Sequence, residues 1–192
     1  MDVSAAALPQ TGSFEINVDG KPVALRFALV SGYHLKSGVL RILSSTGSLS
    51  VSDLSMNAAQ VNYLKSITGH RSGLYLFSGP TGSGKTTTMY TILNETAGRK
   101  IYTLEDPVEV YSEKYVQLQV NSQAHLSFAE GIRQLMRHDP DIIMIGEIRD
   151  SEAAQMAVRC ALTGHLVVTS IHASDCTGAV HRMLDLGVHE TS

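Results

Sequence analysis

Residues 79–87 read GPTGSGKTT and fill the pattern G-x-x-x-x-G-K-[ST]. This pattern works only where a strand ends and a helix begins, so it fixes local topology as well as chemistry. Both flanks meet that demand. GLYLFS, residues 73–78, is an apolar run of strand length, and TTTMYTILNE, residues 86–95, reads as a helix. Gly82 and Gly84 let the backbone curl so that its N–H groups face phosphate oxygens, and the helix N-terminus adds positive potential. Lys85 supplies a point charge for β- and γ-phosphates, and Thr86 offers a hydroxyl to magnesium. The whole loop, Gly79, Pro80, Thr81, Gly82, Ser83, Gly84, Lys85, Thr86 and Thr87, is therefore assigned to nucleotide phosphate.

The texture around this loop alternates. NAAQVNYLKSI is helical, KIYTLED and YVQLQV read as strands, and DIIMIG is a continuous apolar strand of the kind buried on both faces. Ser127 and Glu130 are spaced as a capping box opening a helix with Phe128, Ile132, Leu135 and Met136 on one side. Ala154, Ala157, Val158 and Ala161 mark a packed helix. HLVVTSIH is another central strand, and Asp175 caps a last helix ending near Gly187. Such alternation predicts an α/β domain with a parallel sheet and helices on both faces. With 43% hydrophobic residues the chain can bury this core, and its net charge of −3 gives no basic signature for nucleic acid. Cys160 and Cys176 form no CxxC, which argues against a zinc ribbon or a disulfide framework and fits a reducing cytosol.

The N-terminal part is different. MDVSAAALPQTG is small and polar and reads equally as a flexible end or as residues added to the natural chain. SFEINVDGKPVALRFALV reads as a hairpin turning at Asp19-Gly20, with Val23, Leu25, Phe27 and Leu29 on one face and Arg26 on the other. GVLRIL is a further strand carrying Arg41. Residues 44–56, rich in Ser and Gly, read as a linker, so the expected domains are 1–43, a small β region, and 57–192.

Acidic residues cluster after two strands. Glu105, Asp106 and Glu109 lie in YTLEDPVEV, at a strand end where parallel sheets place ligands. Water activation, magnesium ordering and a solvated acidic turn all fit that spacing. DIIMIGEIRD ends in Glu147, expected to cap a strand beside the phosphate-loop strand, with Gly146 where an aspartate commonly stands. Glu147 can hold magnesium-bound water or orient the attacking water. Without the aspartate another acid must help, and the LEDPVE cluster is the candidate. Arg149 and Asp150 read as a helix-starting pair, with Asp150 as N-cap. His165 and His172 bracket one strand at an odd offset, so they point to opposite faces and do not chelate one metal.

Taken together, the phosphate loop, TLEDPVE, RHDPDIIMIGEIRD and TGHLVVTSIHASD resemble, in that order, the boxes of the ATPases of type II secretion, type IV pili and the competence pseudopilus. LQVN and RMLDLG lean towards the competence branch. The resemblance implies a RecA-like nucleotide domain preceded by part of a small β-rich domain. It implies that Glu105 prepares water, that Glu147 is the Walker B acid and a magnesium partner, and that His172 lies near the γ-phosphate. Glycine before Glu147 is then a family trait, its duty shared by Glu105 and Glu147. Arg26 and Arg41 match arginines that reach nucleotide, usually across a subunit contact. The family continues past the last helix, so by this resemblance the chain reads as truncated at both ends. The implied protein is a hexameric motor that uses ATP and Mg2+, sits at the cytoplasmic face of the membrane and works with an inner-membrane platform protein. Neither nucleic acid nor zinc is among its expected ligands. A pilus-retraction motor, a regulatory ATP-binding module and a nucleic-acid translocase are the alternatives.

Overall fold

The computed structural model describes residues 10–43, 49–121 and 126–189. The chain divides into two compact units, one of residues 1–47 with 109–111 and one of residues 48–108 with 112–192.

The first unit is an antiparallel sheet of β1 (Gln10–Val18), β2 (Lys21–Ser31) and β3 (Lys36–Leu43), in that order. Asp19 and Gly20 turn the hairpin with both φ values positive, 50° and 78°, as the two-residue turn requires. The strand starts earlier than its composition suggests. Gln10, Thr11 and Gly12 pair with Leu29, Ala28 and Phe27, so part of the opening read as a flexible end is sheet. Residues 1–9 lie outside the described residues.

The second unit is built on a five-stranded parallel sheet of β4 (Gly73–Ser78), β5 (Ile101–Glu105), β6 (Val116–Gln119), β7 (Ile142–Ile145) and β8 (Leu166–Ile171). Its spatial order is β4-β8-β7-β5-β6. This corrects one expectation. The strand before Glu147, β7, does not adjoin the phosphate-loop strand, because β8 pairs with both and lies between them. Hydropathy marks β7 and β8 alike as fully buried and cannot order them; only the crossovers do.

Helices cover both faces. Helices α3 (Phe128–Leu135), α4 (Ser151–Leu162) and α5 (Cys176–Asp185) form one core with Leu104, Ile143, Ile145, Val167 and Ile171. Side chains alternate along a strand, so Thr103 and Glu105 face the other way, towards α2 (Lys85–Asn94), which packs beside α1 (Ala58–Ile67). Caps explain the helix starts. Asp150 accepts from the Ala153 amide at 2.8 Å and Asp175 from the Gly178 amide at 2.7 Å. At α3 only half of the capping box forms. Ser127 Oγ accepts from the Glu130 amide, while the Glu130 carboxylate is taken by Gln134 and Arg133.

Within the stretch read as a linker, residues 44–48 lie outside the described residues, and Val51–Asp53 forms a 3-10 turn. Val51 is buried, and its amide donates to Glu95 at 2.6 Å. Gly131 in α3 marks a close approach, since a Cβ there would fall 2.6 Å from Leu104 Cδ2.

Candidate nucleotide site

The candidate residues gather where the parallel strands end. The phosphate loop follows β4, Glu105 is the last residue of β5, Glu147 lies just past β7, and His172 directly follows β8. Gly79, Gly82 and Gly84 hold φ values of 152°, 78° and 90°, a region that residues with a side chain seldom enter. Gly84 is also the N-cap of α2 and brings no side chain to its first turn, so the N–H groups of that turn stay open to an anion. Lys85 Nζ donates to the carbonyls of Gly79 at 2.7 Å and Pro80 at 2.9 Å, folding the lysine over the loop that carries it. Thr86 and Thr87 follow in the first turn of the helix, and Thr81 and Ser83 are exposed on the loop.

Three cross-strand bonds set the position of Glu147. The Gly146 amide donates to the Leu104 carbonyl at 2.9 Å, Ser170 Oγ donates to the Gly146 carbonyl at 2.7 Å, and the Ile148 amide donates to the Ser170 carbonyl at 2.9 Å. The carboxylate they present is held on both oxygens. Arg149 donates to Oε1, and His172 Nε2 stands 3.4 Å from Oε2. Arg149 also donates to Asp106 at 2.9 Å, tying the end of β7 to the end of β5. Desolvation alone would raise the Glu147 pKa. The Arg149 hydrogen bond and charge, with His172 and Lys85 behind them, outweigh it and hold the carboxyl below its ordinary value.

Glu105 is held in another way. It is only 3% exposed. Tyr90 Oη of α2 lies 2.7 Å from both carboxylate oxygens and donates to them, and Thr103 Oγ1 donates to Oε1 at 2.6 Å. Gln117 Nε2 donates to the Tyr90 hydroxyl at 3.0 Å. Burial, and then the charge of Glu105, push the Tyr90 hydroxyl far above the usual tyrosine range, so the phenol stays a donor.

The geometry also shows why glycine suits position 146. A Cβ there would lie 3.6 Å from Glu105 Cα and 3.7 Å from its Cγ. There is room for a methyl group, but a carboxylate beyond it would compete with Glu105 for the same space.

Sequence reasoning missed Tyr90, Gln117 and the double role of Arg149. No local pattern marks them, because each meets its partner across the fold. His165 lies at the far end of β8, its Nδ1 3.2 Å from the Cys160 carbonyl, apart from the Glu147 group. Arg26 and Arg41 belong to the other unit, directly opposite each other on β2 and β3. Like charges placed directly opposite each other on a sheet are destabilising.

Among the described residues no group of three or more His, Cys, Asp or Glu converges on one point as a metal cage. Magnesium at a phosphate site needs no such cage. It keeps waters and takes one or two protein ligands beside the phosphates. One hydroxyl, Thr86, and one ionised carboxylate, Glu147, fit that demand. No described helix is long and apolar enough to cross a membrane.

A family model described as type II/IV secretion system protein matches residues 1–192. Among individual proteins, the competence protein ComGA of Bacillus subtilis (strain 168) is 41% identical over 192 residues, 98% of this chain and 54% of its own length. The putative type II secretion system protein E of Escherichia coli (strain K12) is 41% identical over 191 residues, 98% of this chain and 39% of its own. The chain thus spans about half the length, or less, of these relatives. The crystal structure of the pilus retraction motor PilT with bound ADP superposes with a TM-score of 0.78 at 31% identity, covering 92% of this chain and 51% of that one. A P-loop at the C-terminal edge of a parallel sheet, a glycine–glutamate pair after β7 and a match along the whole sequence agree: this chain belongs to the type II/IV secretion system protein family.

Proposed function

We propose that the chain binds Mg-ATP and hydrolyses it as the motor module of a machine that assembles a pilus-like fibre for secretion or DNA uptake. The supporting observation is the placement of Glu147. It is ionised, gripped by Arg149 and His172, and close enough to Lys85 to be influenced by its charge.

In this reading Lys85 and the loop amides bind the phosphates. Thr86 and Glu147 would hold Mg2+, which supplies charge neutralisation across the phosphate oxygens when bound. Glu105 accepts the proton of the attacking water. His172 donates to the γ-phosphate or to its product. Arg26 and Arg41 stabilise phosphate charge on a neighbouring subunit, in a hexamer docked on an inner-membrane platform protein at the cytoplasmic face.

Two variants test the chemistry. Lys85→Ala should abolish the rise in Tm with Mg-ATP, a rise worth about 2.7 kcal/mol at a hundredfold excess over Kd in the parent. Glu147→Gln should keep that rise and lose turnover by roughly 10²–10⁴. Parental turnover in Glu147→Gln would remove its assigned role.

A further inference from the structure

The group assigned to accept a proton is, in this structure, occupied. Glu105 is nearly sealed from solvent, both its oxygens accept from the Tyr90 hydroxyl at 2.7 Å, and Oε1 accepts from Thr103 as well. A carboxylate whose oxygens are already taken by protein donors is not placed to accept a proton from water. A general base must also reach its proton within about 2.6–3.2 Å, directly or through one water. Here that reach is spent on protein donors, the hydroxyls of Tyr90 and Thr103 and the side-chain amide of Gln117.

The element that carries Tyr90 matters. Helix α2 begins at Lys85, and Tyr90 lies one turn beyond Thr86 on the same helix. Its ring is 2% exposed and packs against Tyr115, with centroids 6.1 Å apart, so the hydroxyl moves only as the helix moves. Gln117 of β6 donates both to the Tyr90 hydroxyl, at 3.0 Å, and to Glu105 Oε1, at 3.4 Å. Any displacement of the phosphate loop therefore reaches the Glu105 clasp through one rigid helix.

We propose that Tyr90 is a positioning residue that stows Glu105 against α2, and that engagement of phosphate by the loop releases the carboxylate to the reacting water. The proposal rests on the reading of Glu105 as the base. Tyr90 touches no reacting atom and acts only through Glu105. Thr103 is the second member of the clasp, and Gln117 supports it by bonding both the tyrosine and Oε1.

The test is Tyr90→Phe in the chain as it stands, with turnover measured across ATP concentration. Phenylalanine keeps the buried ring and deletes the hydroxyl. The expected result is a kcat raised about tenfold with KM unchanged, since a hydrogen bond to a charged group holds the stowed state by at least that factor. In a Glu105→Gln background the gain should vanish. Should Tyr90→Phe fail to fold, Thr103→Val loosens the same clasp from β5 and should also raise kcat. Unchanged or lowered kcat in Tyr90→Phe, with Glu105→Gln inactive, overturns the stowage and leaves the base. A gain that persists without the Glu105 carboxylate overturns the coupling. Parental turnover in Glu105→Gln removes the base, and the stowage with it.

Discussion

Two threonines of the parallel sheet, Thr103 and Thr169, are completely buried, at 0% exposure, yet the same substitution should move stability in opposite directions. Thr103 Oγ1 donates to the Glu105 carboxylate at 2.6 Å. Thr169 Oγ1 is the one buried side-chain polar atom among the described residues that finds no hydrogen-bond partner. It lies on the strand face shared with Val167 and Ile171, towards the apolar core of α4 and α5. Valine matches threonine in shape, so neither change opens a cavity or overpacks. In Thr103→Val a hydrogen bond to a charged group is lost, about 1.5–3 kcal/mol, and a buried methyl returns about 0.8, so about 1–2 kcal/mol of stability disappears. In Thr169→Val an unmet buried hydroxyl is removed, a penalty of about 1–3 kcal/mol, and the same methyl is added, so the variant gains at least about 1 kcal/mol. For a chain of this size each kcal/mol shifts Tm by about 2–4 °C, which separates the two variants by roughly 4–12 °C. Calorimetric melting of parent and both variants in one buffer measures this. Shifts of the same sign, or both below about 0.5 kcal/mol, would refute the reasoning that hydrogen-bond satisfaction decides the outcome.

Two further outcomes follow from particular contacts. Gly131→Ala drives a Cβ to 2.6 and 2.7 Å from the two δ carbons of the fully buried Leu104. Overpacking costs about 1–3 kcal/mol against a helix gain of about 0.5–1, so Tm should fall, and a rise would show that Leu104 yields freely. Glu147 has its pKa lowered from 4.5 in the fold, so its contribution to stability is complete above pH 4.5 and fades as pH drops through the folded value. Arg149→Gln should therefore melt below the parent above pH 4.5, with the gap closing on acidification; a gap that widens there contradicts the sign.

The sequence alone determined what depends on neighbours a few residues apart. The glycines of the phosphate loop, the N-caps Asp150 and Asp175, the Asp19-Gly20 turn and the apolar runs of β7 and β8 are local demands of backbone geometry and periodicity. Those signals are legible in any window that contains them. The tertiary structure alone decided which strand separates β4 from β7, because two equally apolar runs carry no label of order. It alone joined Arg149 to Asp106, 43 positions apart, and brought Tyr90 to Glu105, 15 positions apart, across the gap between a helix and a sheet. A hydrogen bond between elements depends on where crossovers place them. Spacing along the chain records only the distance to a residue's own neighbours, so Tyr90 reads as core until the sheet sets a carboxylate beneath it.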